Sequence, residues 1–367
     1  MHTTNILTRA IKRLALTGLL SVMLSGCGQF GPRFIEASRT DYNIAMNRTE
    51  NEQMLLNLVR LRYGDPPYFL EASALNTQFL IAPSAEASSL FDFNGNNTYG
   101  LKGRLAYEEK PTVTYSPLRG QAFVRQVLSR VTLDTVLLLD ASGWSTARVL
   151  RMCIENVNGL DNAARASGPT PADAPDVTAF RRAIDLLADF EGRGDLVLFR
   201  KQTEGAVEFV ARFSPAARRT ASFTELAHLL GLDPKLEEYA LTLNQISDSR
   251  SAINMQTRSF MGVMYFLAQA VAVPEQDAND GKVTVTRDAV GGEFDWGQVT
   301  GGLIEIRSSP RKPSDASVAV NFRERWFYID DADVQSKSTF ALLGQLYALQ
   351  SDADASNAPI LTLPIGG

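Results

Sequence analysis

The sequence predicts an α+β fold, with mixed or antiparallel sheet segments packed against several amphipathic helices. Three observations predict it. Stretches with apolar residues at helical spacing and short runs of period-two alternation both occur, and they cluster instead of following a strict strand–helix order. Gly, Pro and Asn punctuation separates them. The composition, 45% hydrophobic and 21% charged over 367 residues, is that of a globular chain with material for one or two cores.

Taken in order, residues 1–26 read as an export signal. Arg9, Lys12 and Arg13 form a cationic start with no acidic residue before Glu36, and residues 14–24 are an apolar run of eleven. A spanning helix takes about 20 apolar residues, so this run is too short to cross a bilayer. Ser25 and Gly26 then lead into Cys27. Leu24-Ser25-Gly26-Cys27 resembles the lipobox of bacterial lipoproteins. That resemblance implies a diacylglycerol on the Cys27 sulfur, cleavage before it, and acylation of the new amino group. Each buried CH₂ contributes about 0.8 kcal/mol and one chain binds only reversibly, so three chains anchor the protein. Gly28, where an Asp favours inner-membrane retention in that family, implies the outer membrane with the body facing the periplasm. Residues 27–38 then form a tether.

The body divides into an N-terminal α+β region over 39–157, a flexible loop or boundary over 158–178 and a C-terminal α+β region over 179–367. Thr49 and Glu52 have capping-box spacing before Met54, Leu55, Leu58 and Val59, which predicts a helix ending near Tyr63-Gly64, where "GDPP" stops it. A loop at "FNGNNTYG" separates strand-like segments. A helix follows from 119 to about 130, with Phe123, Val127 and Leu128 inside. "TVLLLD" is too short for periodicity to decide. In "WSTARVLRMCIENVNGL", Leu150, Cys153, Ile154 and Val157 recur at helical spacing, with Cys153 as a small buried hydrophobe.

The 158–178 stretch is rich in Ala, Pro, Gly and Asp. A helix over 179–191 presents Phe180, Ile184, Leu187 and Phe190 to a core, and a hairpin over 196–213 turns at Glu204-Gly205. Ser222 and Glu225 repeat the capping-box spacing before a helix ending at Gly231. An apolar helix is expected over 256–273, stopped by Pro274 and containing Arg258 and Gln269. Strands are expected at 282–287, 303–308, 317–323 and 325–329, then an Asp333-capped helix over 334–350 and an edge strand in "APILTLPI".

Several chemistries are excluded. Losing residues 1–26 removes three positive charges and no negative ones, so the net charge of −5 becomes about −8. An acidic chain without a basic run does not suit nucleic acid. Cleavage leaves His228 as the one histidine and Cys153 as the one free thiol, too few for a zinc site or an intramolecular disulfide. His228 points away from the apolar face of its helix, and nothing nearby completes a triad. Ser309 and Lys312 match S-x-x-K, but Pro310 and Pro313 make that stretch a loop. No Walker or dinucleotide fingerprint is present, and neither cofactor nor metal is implied.

Functional-looking residues concentrate in "WFYIDDADVQSKSTF". Trp326 and Tyr328 share a strand face and either stack on a sugar or line a buried strand. Asp330 and Asp331, with Asp333, either serve as carboxylate ligands or cap the next helix. Arg60, Arg62 and Asp65 in "RLRYGD" either pair with one another or grip an anionic group. "NLVRLRYGDPPYF" and "RERWFYIDDADVQSKSTFALLGQLYALQ" resemble segments of an uncharacterised family of bacterial envelope lipoproteins, which supports the location and implies no activity.

These readings lead to a non-enzymatic scaffolding or binding lipoprotein, held to the membrane through Cys27 and working with an envelope protein partner. The alternatives are a carboxylate-based cell-wall or glycan hydrolase and a small-ligand binding lipoprotein. Cys27→Ser is expected to move the protein from the membrane to the soluble fraction of lysed cells. Mass spectrometry of the wild type should show a chain beginning at an acylated Cys27.

Overall fold

The structure is a computed structural model that describes residues 30–90, 98–118, 120–203, 206–243 and 249–351. The export signal, Cys27, Gly28, the Glu204-Gly205 turn, the "APILTLPI" strand and most of the "FNGNNTYG" loop lie outside the described residues. The chain forms two compact units, Met1–Leu55 and Leu56–Gly367. No helix among the described residues is long and apolar enough to cross a membrane.

Helix α1 (Phe30–Arg62) begins well before the expected cap, and the described part of the 27–38 stretch belongs to it. Thr49 and Glu52 therefore lie inside a helix. The Thr49 hydroxyl donates to the Met46 carbonyl at 2.9 Å, and Glu52 pairs with Arg48 at 2.9 Å. The helix stops at "GDPP" as expected. Past the prolines the Asn57 amide exchanges two hydrogen bonds with the backbone of Tyr68, each 2.9 Å, and so directs the chain into the first strand.

The second unit is α+β. Strands β1 (Leu70–Leu90) and β2 (Thr98–Pro117) form a two-stranded antiparallel hairpin. Helix α2 (Gln121–Leu128) buries Val127, whereas Leu128, expected inside, is 57% exposed. "TVLLLD" is helical, within α3 (Leu133–Ala141). Helix α4 (Thr146–Cys153) then gives way to strand β3 (Ile154–Val157), so Ile154 and Val157 do not continue the helix. Cys153 is fully buried, and burial pushes its thiol pKa up to about 12.

The 158–178 segment holds strand β4 (Leu160–Asp161) and a 3₁₀ turn (Ala164–Ser167), with Asn162, Ala163 and Ala166 buried. Helix α5 (Thr178–Gly192) buries the expected Phe180, Ile184, Leu187 and Phe190. Strands β5 (Leu196–Thr203) and β6 (Ala206–Phe213) form the expected hairpin. Helix α6 (Ala221–Leu230) is capped by Thr220, whose hydroxyl accepts from the Phe223 amide at 3.1 Å. Ser222 lies inside this helix, and Glu225 instead forms a two-pronged pair with Arg182 at 2.6 and 2.7 Å.

Strands β7 (Glu238–Leu243) and β8 (Ala252–Thr257) complete a six-stranded sheet in the order β4-β3-β8-β7-β6-β5, antiparallel except at β7–β8. Phe213, Phe190, Phe223 and Tyr239 meet edge-on at this sheet with centroids 5.0–6.0 Å from Phe213. The helix expected over 256–273 is two elements, β8 and α7 (Phe260–Ala268). Four of the six β8 residues are buried, which removes the alternation that marks a strand, and Ser259 caps α7 by accepting from the Gly262 amide at 3.0 Å.

Beyond it come α8 (Glu275–Asn279) and α9 (Gly297–Thr300). Residues 282–287 form no strand. Val283 and Thr286 are buried but three residues apart, so burial does not alternate, and the ladder contacts among the described residues are single bridges from Arg287 to Asp173 and Glu293. The expected strand at 303–308 is confined to β9 (Arg307–Ser309), because Ile306 bridges Val271 instead. Strands β10 (Ala316–Phe322) and β11 (Arg325–Asp330) pair with it in the order β10-β11-β9. Helix α10 (Val334–Ser351) follows.

The α4–β3 junction is closed from a distance. Arg258 is fully buried, and its Nη1 donates to the carbonyls of Ile154, Met152 and Arg151 at 2.5, 3.3 and 3.4 Å. Its Nη2 donates to the Asn162 carbonyl, and its backbone amide to the Cys153 carbonyl at 2.7 Å. Arg258→Met should therefore lower unfolding free energy by about 3–5 kcal/mol, since it strands buried carbonyls. Urea denaturation followed by circular dichroism measures this. Arg258→Lys should recover only part of the loss, because an ammonium lacks the guanidinium fork.

Candidate functional site

The aromatic and acidic cluster singled out by sequence sits on β11 and the turn after it. Phe327 and Ile329 are fully buried on one face, and Trp326 and Tyr328 are half-buried on the other. Lys312, in the loop after β9, lies over the Trp326 ring at 5.3 Å. The S-x-x-K pair is thus split between a strand end and an aromatic contact.

The three carboxylates have separate occupations. Asp330 accepts from Arg307 at 2.8 Å and from the Ala332 amide at 3.0 Å. Asp331 accepts from Lys337 at 2.8 Å. Asp333 caps α10, accepting from the Ser336 amide at 3.0 Å and the Ser336 hydroxyl at 2.5 Å. Burial pushes the Asp333 pKa up, but its bonds to Ser336 and Gln335 outweigh that and hold it below the usual carboxylate range. These residues build a strand end and a helix start. Among the described residues no group of three or more His, Cys, Asp or Glu side chains could hold a metal ion.

"RLRYGD" leads elsewhere. Asp65 pairs with Arg323 at 3.2 Å, and Arg60 reaches only Asn57, at 3.4 Å. Arg62 is 7% exposed and lines a groove of about 810 Å³. The groove runs between the chain after α7, the Glu293–Trp296 stretch, the turn after α9 and the start of α10. One terminal nitrogen of Arg62 donates to the Thr284 carbonyl at 3.1 Å and the Thr170 hydroxyl at 3.4 Å. Its Nε has no partner, and no carboxylate among the described residues lies within ion-pair reach. Burial lowers its pKa, while Tyr63 and the nearby Glu293 favour its charge.

Gln269 lies beside it, 4% exposed, with its Nε2 donating to Thr170 and the Tyr265 carbonyl, each at 3.2 Å. Its Oε1 is buried without a partner. One groove is therefore lined by two buried side chains, one with an unused donor and the other with an unused acceptor. Sequence reasoning left open whether Arg62 pairs with its neighbours or grips an anionic group. The available signal was its place at i+7 from Leu55, on the same stripe as Leu58 and Val59.

The walls are fixed independently. Arg151 Nη2 donates to the carbonyls of Val299 and Gly301 at 3.1 and 2.8 Å, and burial brings the Arg151 pKa down to about 10. A Cβ at Gly301 would overlap the Gly297 carbonyl oxygen, so only glycine permits that turn. The Trp296 ring is anchored through Nε1 to Thr286 at 3.1 Å. Glu293, Asp295, Glu305 and Asp333 line the groove with Arg62 as its one cation, and with Glu305 paired to Arg307 at 3.2 Å the lining is still net negative. Glu293 is exposed and has no hydrogen-bond or ion-pair partner among the described residues.

Comparison of the chain with protein-family models, curated proteins and solved structures finds no match. The groove is therefore read from its own chemistry.

The Asp333 cap carries a pH prediction. Its folded pKa lies below the unfolded value, so its contribution is complete above the ordinary carboxylate range and is lost as pH falls through the lowered folded value. Asp333→Ala should cost about 1 kcal/mol at pH 7 and less at an acid pH low enough to protonate the wild-type cap. Paired denaturation curves at the two pH values measure the difference.

Proposed function

We propose that this chain is a membrane-anchored envelope lipoprotein whose body binds a small polar ligand and performs no chemistry on it. Arg62 carries this reading. A guanidinium is costly to bury without a carboxylate, and this one lies in a roomy groove with its Nε unused. Gln269 adds an unused acceptor beside it.

The charge around the groove narrows the ligand. A polyanion such as nucleic acid or a polyphosphate is repelled by Glu293, Asp295 and Asp333, which outnumber Arg62 in the lining, while Glu305 is paired with Arg307. A zwitterion fits better, with its carboxylate on Arg62 and its ammonium toward the free Glu293 side chain. Free amino acids and short peptides have this chemistry. A glycan hydrolase calls for an acid and a base about 5–10 Å apart across a cleft, whereas Asp330, Asp331 and Asp333 each hold a structural partner.

Titration of the full-length lipidated protein in detergent with free amino acids and di- and tripeptides tests this. Zwitterionic ligands should raise the melting temperature, and N-acetylated or C-amidated forms should bind at least about tenfold more weakly, about 1.4 kcal/mol. Glu293→Gln should erase the preference for a free amine while leaving the unliganded melting temperature unchanged. Absence of binding at millimolar concentrations across the panel would overturn the reading.

A further inference from the structure

The β1–β2 hairpin contributes nothing to the groove, yet it is the longest regular element of strand, pairing 21 residues with 20 from Leu70↔Pro117 to Leu90↔Thr98. It is a sheet of two strands, so both outer edges lack a strand partner among the described residues. Isolated two-stranded ribbons are marginal in water, and open edges template further pairing.

Opposed residues share a face and successive ones alternate, so the register sorts this hairpin into two faces. One face carries Tyr99, Leu101, Leu105 and Tyr107, opposite Ser89, Ala87, Pro83 and Ile81. The other carries Lys102, Arg104 and Glu108, opposite Glu86, Ser84 and Leu80. The apolar face is bounded by tyrosine at both ends, and at about 3.3 Å per residue Tyr99 to Tyr107 spans roughly 26 Å along the strand, or about 20 Å of membrane depth at a barrel tilt of about 35–45°. Transmembrane barrels have an apolar band of about 25 Å between aromatic girdles, with a polar interior.

Two strands cannot close a barrel, and hydrocarbon does not tolerate open edges. The strand partner that matches both edges in length and face pattern is the same hairpin from another copy. We infer that hairpins from several copies of this chain join edge to edge into one transmembrane β-barrel, with the Tyr99–Tyr107 face toward lipid and the Lys102–Arg104 face lining the lumen. The smallest such barrels have about eight strands, which requires at least about four copies. Pro83 and Pro111 each remove one donor from a ladder of this length. The inference does not depend on what occupies the groove.

The test uses full-length lipidated protein in mild detergent and in liposomes. Native mass spectrometry should show a closed oligomer of four or more copies, planar bilayers should show discrete conductance steps, and trypsin should spare the Lys102 and Arg104 bonds once the protein is in liposomes. Leu101→Arg with Leu105→Arg should abolish conductance without changing the melting temperature of the body. Lys102→Gln with Arg104→Gln should retain the oligomer and shift its selectivity toward cations. A monomer with no conductance would overturn the inference. So would an oligomer that survives the leucine substitutions unchanged, or tryptic cleavage in liposomes as rapid as in detergent.

Discussion

The C-terminal end of α4 depends on Arg258. A helix leaves its last four carbonyls without intrahelical partners, and here those of Arg151, Met152, Cys153 and Ile154 are all met from outside. The Arg258 guanidinium takes three of them and its backbone amide the fourth, while the Asn162 side-chain amide adds bonds to Ile154 at 2.6 Å and Arg151 at 2.8 Å. Taking an isolated cation out of water costs several kcal/mol even after relaxation. The carbonyl end of a helix is the place where backbone dipoles best offset that cost. The Phe266 ring 4.0 Å from the guanidinium adds a cation–π contact. Burial brings the Arg258 pKa down to about 10, so the group stays charged at neutral pH.

This knot also sets the groove. Arg148 and Arg151, one turn apart on α4, project to the groove walls. Arg151 holds the turn after α9, while Arg148 donates to the Gln335 carbonyl at 2.8 Å and to the Thr339 hydroxyl on α10. A rotation of α4 would carry both walls with it. The position of groove walls formed by the last third of the chain is thus tied to a helix near its middle, and that helix is locked by an arginine about a hundred residues further on. Neighbouring Glu155, bonded to Arg130 at 2.6 Å and to Ser167 at 3.0 Å, fixes the strand that leaves the knot.

What was legible in the sequence was local. Helix α5, the β5–β6 hairpin and the β10–β11 pair carry clean periodicity, and the two hairpins add a turn between their strands, so their signals need no distant partner. The α4–β3 change has neither glycine nor proline because its stop comes from Arg258. The β8–α7 change was hidden because both elements are buried, and one apolar run covers a strand and a helix alike. The capping boxes at Thr49 and Ser222 failed for the same kind of reason. Glu52 and Glu225 were engaged by Arg48 and Arg182, and the true cap of α6 lay two residues upstream at Thr220. Of the candidate site, the cluster at Trp326, Tyr328, Asp330 and Asp331 stood out by density. Density of functional side chains is also what a strand end followed by a capped helix requires.

Arg62 shows how a buried arginine hides in such a sequence. It looks like the basic last turn of a helix, a place where arginine is favoured by the dipole alone. Yet its spacing from Leu58 and Val59 puts it on the buried stripe, and a buried arginine must be accounted for by its partners. Arg258, the other deeply buried arginine without a carboxylate partner, likewise leaves its Nε unpaired, but its two terminal nitrogens donate to four carbonyl oxygens and tie it into the fold. Arg62 has one carbonyl and one hydroxyl, and it lies beside a glutamine whose oxygen is also unused. An unmet buried polar group costs about 1–3 kcal/mol, so two of them lining one groove are expensive as architecture. The same cost becomes affinity where a ligand supplies the missing partners, and the proposed role of Arg62 rests on its having one terminal nitrogen engaged where Arg258 has two.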